Sequence, residues 1–308
     1  MAITVTELNA FLAVIRGGSV TAAADELVVT QPSVSSAIAA LGRELGCELF
    51  ERAGRGIRLT DAGTAFAPYA TDVLGLLDQG RQAAREAAAI AARRLRIVAV
   101  TTAAESFVPP LMRAFSDQHP DVELTLDVGN RQEVLERVRT HAADVAITGK
   151  PPADDRLIAE PLDANEIVCL TAPGDPAASG RPAEAAELAE RHWLLREPGS
   201  GTRTLNEDFL AEHGLNPPTL TLGSNGAIKQ AARAGLGVSL LSRAAVENEL
   251  ASGLLGEIRL KDGPASRPWF VLHAAQGPAR PTAELFVEFV RSASRAPRAG
   301  SARARATR

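Results

Sequence analysis

The stretch that decides the fold is GSVTAAADELVVTQPSVSSAIAAL, residues 18–41. Ser19 can cap a short helix with its side-chain oxygen, and the alanines that follow permit close packing. The residues VVT predict a tight turn, after which Thr30 is placed to cap a second helix that tolerates Pro32 in its first turn. One face of that second helix is apolar at helical spacing, with Val34, Ile38, Leu41 and Leu45. Two short helices joined by a tight turn are typical of a helix-turn-helix.

The segments on either side complete this unit. Residues 5–16, VTELNAFLAVIR, place their apolar residues on one face and predict a helix before the motif. Residues 49–59, LFERAGRGIRL, predict two short strands joined by the glycine-rich turn AGRG. Three helices followed by a β-hairpin predict a winged helix-turn-helix domain over residues 1–60.

The outward polar residues of this domain suit contact with double-stranded DNA. With the second helix in the major groove, Gln31 can bond an adenine edge, the serines reach phosphates or bases, and the hairpin arginines neutralise phosphates. The domain holds five arginines and six acids, so its net charge alone equally allows a small packing unit with a solvated polar face. Placement favours DNA, because four of the five arginines lie in residues 43–58. The residues predicted to contact DNA are Gln31, Ser33, Ser35, Ser36, Arg52, Arg55 and Arg58.

A long helical pattern follows over residues 61–92. Thr60 or Asp61 can cap it, and Pro68 removes one hydrogen bond within it. Its first half carries an apolar stripe and its second half is mostly alanine; the stripe consists of Phe66, Tyr69, Val73, Leu76 and Leu77. A helix of this length with no local partner needs another helix to cover it. We expect the same helix of a second copy, which predicts a homodimer.

After residue 92 strands alternate with helices, as in an α/β domain. A first set begins with the strand LRIVAV, followed by TTAAES (101–106), expected to be a loop, and a helix from about Val108 to Gln118. A second set begins near Glu166 and includes a helix around residues 183–190, and the last strand and helix are expected to return to the first set. We therefore predict two lobes in residues 93–293: lobe I over about 93–162 and 268–293, and lobe II over about 163–267.

The stretch REPGSGTR, residues 196–203, suits an anion. Its glycines let the backbone turn and expose N–H groups, and the helix beginning near Thr202 aims its positive end at the same place. Loops after three other strands should converge there, because ligands bind at the carboxyl ends of strands in open α/β sheets. The alternative is a plain strand-to-helix turn, with Arg203 paired on its helix and Lys150 solvated. The residues predicted to bind the ligand are Thr101, Thr102, Gly149, Lys150, Arg196, Ser200, Gly201, Thr202, Arg203, Ser224 and Asn225.

Residues 18–63, GSVTAAADELVVTQPSVSSAIAALGRELGCELFERAGRGIRLTDAG, closely resemble the signature of the LysR-type transcriptional regulators, and the resemblance extends along the whole chain. It implies a DNA-binding head, a linker helix and a two-lobed effector domain of the periplasmic-binding-protein type, with a small molecule between the lobes. It also implies that Pro32 contacts DNA beside Gln31. Ser36 and Gly42 depart from the family pattern, which commonly has arginine and glutamate at those positions.

REPGSGTR and SNGAIKQAARAGLGVSLLS (224–242) resemble the branch that contains regulators of Calvin-cycle operons and of sulfur metabolism. This resemblance implies a small anionic effector, either a phosphorylated metabolite, a sulfur oxyanion or a carboxylate. We expect a regulator whose partners are operator DNA, this effector and further copies of itself, as a homodimer or homotetramer.

Two other functions fit a two-lobed fold: an enzyme and a solute-binding protein. The histidines are scattered, and no dinucleotide fingerprint or Walker loop occurs, so no catalytic residue, metal or cofactor is predicted. Cys47 and Cys169 fit no metal or redox spacing.

The location predicted from the sequence is the cytoplasm. No secretory signal and no apolar run of about 18 residues is found, which predicts no membrane partner. The arginine-rich residues 294–308 are expected to be disordered, with nonspecific association with DNA as the alternative.

Overall fold

In a computed structural model of the chain, the structure describes residues 3–53, 56–88, 93–277 and 280–295. These residues form two compact units, one running to Ala88 and including residues 139–142, the other containing the rest. The predictions for Arg55 and for residues 296–308 of the tail lie outside the described residues.

The first unit is a winged helix-turn-helix, as the sequence predicts. Its elements are α1 (Val5–Gly17), α2 (Val20–Leu27), α3 (Gln31–Leu45), β1 (Phe50–Ala53), β2 (Gly56–Leu59) and α4 (Asp61–Ala88). Ser19 caps α2 by accepting a 3.1 Å hydrogen bond from the Ala22 amide. The two strands pair antiparallel as the hairpin. Phe11 holds the unit together, because its ring lies 5.3 Å from that of Phe50 and 5.5 Å from that of Phe66.

The apolar stripe of α4 is covered at its start and exposed further along the helix. Thr60 is the cap, since its Oγ1 accepts a 3.0 Å hydrogen bond from the Gly63 amide. Phe66 packs on the core of the first unit, against Phe11 of α1. Tyr69 is 70% exposed and Val73 51%, and Leu77 is also exposed within the described residues. Of the predicted stripe, Tyr69, Val73 and Leu77 therefore remain without a covering element within the described part of the first unit.

The second unit contains the α/β alternation. Its elements are β3 (Arg93–Val100), α5 (Thr101–Ser106), α6 (Val108–Gln118), β4 (Val122–Gly129), α7 (Arg131–Arg139), β5 (Val145–Thr148), β6 (Leu157–Asp163), β7 (Ile167–Thr171), β8 (Trp193–Arg196), α8 (Gly201–Glu212), β9 (Thr219–Leu222), α9 (Asn225–Arg233), β10 (Ser239–Ser242), α10 (Glu247–Ala251), β11 (Gly256–Ile258), β12 (Trp269–Ala274) and α11 (Pro281–Arg295).

Two groups of strands give the unit its two lobes. One sheet has the order β4-β3-β5-β12-β6, in which β12 runs antiparallel to both of its neighbours. The other lobe contains the sheet β10-β7-β11 and the parallel pair β8-β9. The chain passes between the lobes twice, after β6 and after β11. Strand β12 thus returns to the first sheet, as expected from the sequence.

Separate aromatic clusters stabilise the two lobes. Phe115 packs edge-on against Phe286 and Phe289 at 5.2 and 5.4 Å beneath the five-stranded sheet. Trp193 and Phe209 stack at 5.6 Å in the other lobe. Each lobe therefore has its own core.

Two local predictions were wrong. The segment 101–106, predicted to be a loop, is helix α5, and its alanines and glutamate favour that state. The helix predicted around 183–190 is a short 3-10 helix, Ala185–Leu188. Helix α8 begins at Gly201, close to the predicted start near Thr202.

Candidate functional site

The first candidate site is the exposed face at the start of α3. Thr30 caps the helix, because its Oγ1 accepts a 3.3 Å hydrogen bond from the Ser33 amide. Val34 and Leu41 are on the buried face of α3, and their burial determines which side of the helix is exposed. Five residues predicted to contact DNA are exposed on it: Gln31, Pro32, Ser33, Ser35 and Ser36.

Two hairpin arginines lie in the same unit. Arg52 is exposed on β1. Arg58 lies opposite Glu51 in the strand pairing, with 2.6 Å between its Nη2 and the Glu51 Oε1. Arg58 must exchange this carboxylate for a phosphate if it is to contact DNA.

The second candidate site is a cavity of about 350 Å³ in the second unit. It lies where strands β3, β4, β5, β8 and β10 end, as expected for a ligand site in an α/β fold. Its volume suits a small metabolite. Most of the residues predicted to bind the ligand line it: Thr101, Thr102, Gly149, Lys150, Arg196, Ser200, Gly201 and Thr202.

The N-terminus of α8 forms one wall of the cavity. Gly199 turns the chain into the helix at a φ of +85°, which glycine adopts without strain. Ser200 is buried at the cap position, and its side chain makes no capping hydrogen bond. The Thr202 hydroxyl lies 3.3 Å from that of Thr102. The first amides of a helix lack partners within it and carry its positive dipole end, so this wall favours an anion.

Arg131 supplies positive charge beside that helix end. A Cβ at Gly201 would lie 3.5 Å from the Arg131 Cδ, so the two residues are neighbours. The Arg131 Nη2 also donates a 2.9 Å hydrogen bond to the Lys150 carbonyl. Sequence reasoning missed Arg131, although it lies two residues after the end of β4, and the strand-end rule that pointed to Lys150 would have found it.

Three predicted residues lie elsewhere. Arg203 is not on the cavity wall, because its Nε donates to Glu207 over 2.7 Å and its Nη1 to the Arg196 carbonyl over 3.0 Å. Ser224 caps α9 by accepting a 3.1 Å hydrogen bond from the Ala227 amide. Asn225 is fully buried behind the wall.

Arg196 lines the cavity, but its guanidinium group is already hydrogen-bonded to other side chains. Its Nε and Nη2 donate to Glu197 over 2.7 and 2.8 Å, and its Nη1 donates to the Asn225 Oδ1 over 2.6 Å. Burial is the strongest single influence and acts to raise the pKa of Glu197, but the hydrogen bond from Arg196, a backbone hydrogen bond and the charge of Arg196 together lower that pKa. Asn225 also donates to the Thr102 hydroxyl at 3.0 Å. Arg196 and Asn225 therefore join the two lobes behind the cavity rather than offering charge to a ligand.

Thr148, the last residue of β5, lies on the cavity wall. The residue is fully buried, and its Oγ1 has no hydrogen-bond partner among the described residues. A buried hydroxyl without a partner costs free energy, which a ligand atom bonded to it would recover. Sequence reasoning missed Thr148 because it began the site at the next residue, Gly149.

Further wall residues come from places where the sequence gives no signal. They lie in the two passages between the lobes, at the ends of β7 and β10, and along α8: Asn165, Ile167, Leu205, Asp208, Ser242, Arg267 and Trp269. Only the folded chain brings these segments together.

Among the described residues, no group of three His, Cys, Asp or Glu side chains could hold a metal ion. No helix in that part of the chain is long and apolar enough to cross a bilayer. Burial raises the pKa of the Cys169 thiol to about 12, whereas Cys47 is exposed.

Comparison with known families gives a match to each unit. Residues 5–64 match the family described as bacterial regulatory helix-turn-helix protein, lysR family. Residues 89–295 match the LysR substrate binding domain. These two matches cover most of the chain.

Individual relatives are regulators. The chain is 34% identical to the HTH-type transcriptional regulator CfxR of Cupriavidus necator, over 92% of this chain and 89% of that protein. It is 33% identical to the RuBisCO operon transcriptional regulator of Acidithiobacillus ferrooxidans, over 94% of each. These names confirm the expected Calvin-cycle branch and describe regulators, not enzymes.

A solved structure resembles the second unit. The regulatory domain of Synechocystis PCC6803 CcmR, in complex with 2-PG, is 29% identical with a TM-score of 0.62. The match covers 66% of this chain and 97% of that domain.

Proposed function

The chain belongs to the LysR family of bacterial transcriptional regulators, and we propose that a small anionic metabolite in the cavity of the second unit controls its binding to DNA. The metabolite carries a phosphate, a carboxylate or a sulfur oxyanion. DNA is contacted by the exposed start of α3 and by the hairpin arginines. The regulator acts in the cytoplasm, where its operator is.

The observation that carries this proposal is the unsatisfied Thr148 hydroxyl in a cavity that also contains the N-terminus of α8. The helix amides and dipole favour negative charge, and Arg131 and Lys150 add two cations. A neutral ligand can accept hydrogen bonds from these groups, but only an anion also gains from their positive charge. The regulatory domain of Synechocystis CcmR was solved in complex with 2-PG, and 2-PG is therefore the first probe.

Self-association follows from the exposed face of α4. Tyr69, Val73 and Leu77 are four residues apart and exposed, so they form one apolar row. The same row of a second copy would cover it, giving a homodimer that can pair into a tetramer. A ligand that prefers one arrangement of the lobes then shifts the population of DNA-binding states.

The test is a thermal-shift and calorimetric titration of the full chain with 2-PG and with other phosphorylated, carboxylate and sulfur-containing metabolites. A ligand at 100 times its Kd should stabilise the chain by about 2.7 kcal/mol. Arg131→Gln should weaken its binding roughly tenfold or more, because it removes a charged hydrogen-bond donor from the site. Arg203→Gln makes the same charge change outside the cavity and should leave the Kd unchanged.

Two results would contradict the proposal. One is that only neutral metabolites bind. The other is that Arg131→Gln and Arg203→Gln have equal effects on the affinity for an anion.

A further inference from the structure

Helix α8 runs along the cavity and gives it two ends. Gly201, Leu205 and Asp208 all line the cavity, together with Thr204. Their spacing of three, four and seven residues places them on one face of the helix. At a rise of 1.5 Å per residue, Gly201 and Asp208 are separated by about 10 Å along the axis.

The two ends differ in charge. The near end, at Gly201, has the helix N-terminus and the neighbouring Arg131. The far end has Asp208, whose Oδ2 accepts a 2.8 Å hydrogen bond from the Arg267 Nη2. Asp208 is the only acidic residue among the described residues that line the cavity.

Neutral hydrogen-bonding groups accompany the far ion pair. The Arg267 amide donates a 3.0 Å hydrogen bond to the Asn165 carbonyl. The Ser242 hydroxyl donates to the Asn165 Oδ1 over 2.5 Å. Asn165 and Ser242 both line the cavity. The far end therefore offers donors and acceptors close together, with no excess positive charge.

We propose that this far end is a hydroxyl-binding subsite, and that the effector has a single anionic group at the near end and a hydroxylated carbon chain reaching Asp208. The inference rests on the proposed function. A hydroxyl can donate to the Asp208 carboxylate and accept from Arg267, so it satisfies both members of the pair. A second anion would be attracted by Arg267 and repelled by Asp208, and it would have to break their ion pair.

The size of the cavity agrees with a ligand longer than a bare oxyanion. A phosphate or sulfate ion at the near end cannot also reach groups about 10 Å farther along α8. The apolar side chains of Ile167, Leu205 and Trp269 also line the cavity, and they suit a carbon skeleton better than water.

The test compares three probes by calorimetry on the full chain: inorganic phosphate, ribose 5-phosphate and ribose 1,5-bisphosphate. The two sugar phosphates share a skeleton and differ by one phosphate. Ribose 5-phosphate should bind more tightly than inorganic phosphate and at least as tightly as the bisphosphate. Arg131→Gln should weaken all three, because all three place a phosphate at the near end.

Two variants of α8 isolate the far subsite. Asp208→Asn removes its carboxylate and should shift the preference towards the bisphosphate by about fivefold, the scale of a half-exposed ion pair. Glu207→Gln removes the same charge from the next residue of the helix, where Glu207 pairs with Arg203 outside the cavity. It should leave the preference between the two sugar phosphates unchanged.

The outcomes separate the two proposals. Equal binding of inorganic phosphate and ribose 5-phosphate, or equal effects of the two α8 variants, would overturn the far subsite while leaving an anionic effector intact. If none of the three probes binds but a carboxylate or sulfur oxyanion does, the sugar-phosphate ligand of the far subsite is overturned and the anionic effector stands. If no anion of any of the three classes binds, both proposals are overturned.

Discussion

Val28 holds the turn between α2 and α3 in a strained conformation. Its φ of 55° and ψ of 47° lie in the left-handed region, which is costly for a β-branched residue. Its side chain is 89% exposed, so packing does not repay the strain. We expect Val28→Asn to stabilise the first unit by about 1 kcal/mol, because asparagine tolerates this conformation.

Hydrogen exchange of the α3 amides in the full chain measures this effect. Val29→Asn is the matched control, since Val29 is exposed but is not among the described residues with positive φ. Equal protection of α3 in both variants would rule out backbone strain as the cause.

Asp175 makes the stability of the second unit depend on pH. Hydrogen bonds from Arg191, followed by those from the Thr171 hydroxyl and the Ala177 amide, lower the pKa of its carboxyl from the ordinary 3.8 despite partial burial. A lowered pKa in the folded state stabilises the fold above the unfolded pKa, and this stabilisation is lost as the pH falls. We expect it to decline from about pH 4 downwards.

Asp175→Asn tests this pH dependence. It should cost about 2 kcal/mol at pH 7 by removing a charged acceptor, and it should flatten the fall in unfolding free energy between about pH 4 and pH 2. Urea unfolding at several pH values measures both effects. The exposed Asp155, changed to Asn, should leave the profile unchanged; an identical profile for both variants would contradict the account.

The position at which α8 starts decides which arginine near residues 196–203 can reach a ligand. The sequence correctly indicated that the stretch around Ser200 follows a strand and opens a helix. It did not fix the first helical residue, and Arg203 lies two residues after Gly201, about 200° around the helix from it. Arg203 consequently pairs with Glu207, while Arg131 comes to the cavity from the other lobe. Helical phase, rather than residue type, was the missing information.

At the scale of elements, a carboxylate of the hairpin competes with DNA phosphate for a hairpin arginine. Glu51 pairs with Arg58 across the two strands. Glu51→Gln should free Arg58 for a phosphate, raise DNA affinity and steepen its dependence on salt by about one unit of slope. Fluorescence anisotropy with promoter DNA over a range of salt concentrations measures the slope.

Glu48→Gln is the control for this experiment, because Glu48 is exposed but lies before β1. An equal gain in affinity from the two variants would show that overall charge, and not release of Arg58, is responsible.

Helix α4 shows what periodicity can and cannot predict. The repeat of apolar residues predicted the helix, and the residue types at its start left Thr60 and Asp61 as candidate caps. The repeat could not show that Phe66 is covered while Tyr69 is exposed, since that depends on where α1 places Phe11. Segment 101–106 is similar, because a short run of small and polar residues suits a loop or a helix until its neighbours are known.

At the scale of the whole molecule, the alternation of strands and helices along the chain predicted both lobes and the return of the last strand to the first sheet. A residue that follows a predicted strand can be placed at the strand's end from the sequence alone, so Thr101, Thr102 and Lys150 could be predicted. Asn165 and Arg267 could not, because they lie in separate passages between the lobes and meet only through a hydrogen bond formed in the fold. For this reason the sequence did not predict the residues that line the far end of the cavity.

The central claim is that an anion in the cavity is coupled to DNA binding. Coupling between two sites is reciprocal, so DNA must change the affinity for the metabolite by the same factor as the metabolite changes the affinity for DNA. The factor expected for such coupling is about 5 to 150.

The most direct measurement is the Kd of the full chain for the promoter DNA beside its own gene, with and without the anion that stabilises the chain most. We predict a change of at least about fivefold, lost in Arg131→Gln while that variant still binds DNA. If the anion saturates the cavity and the Kd for DNA stays the same, the account is contradicted.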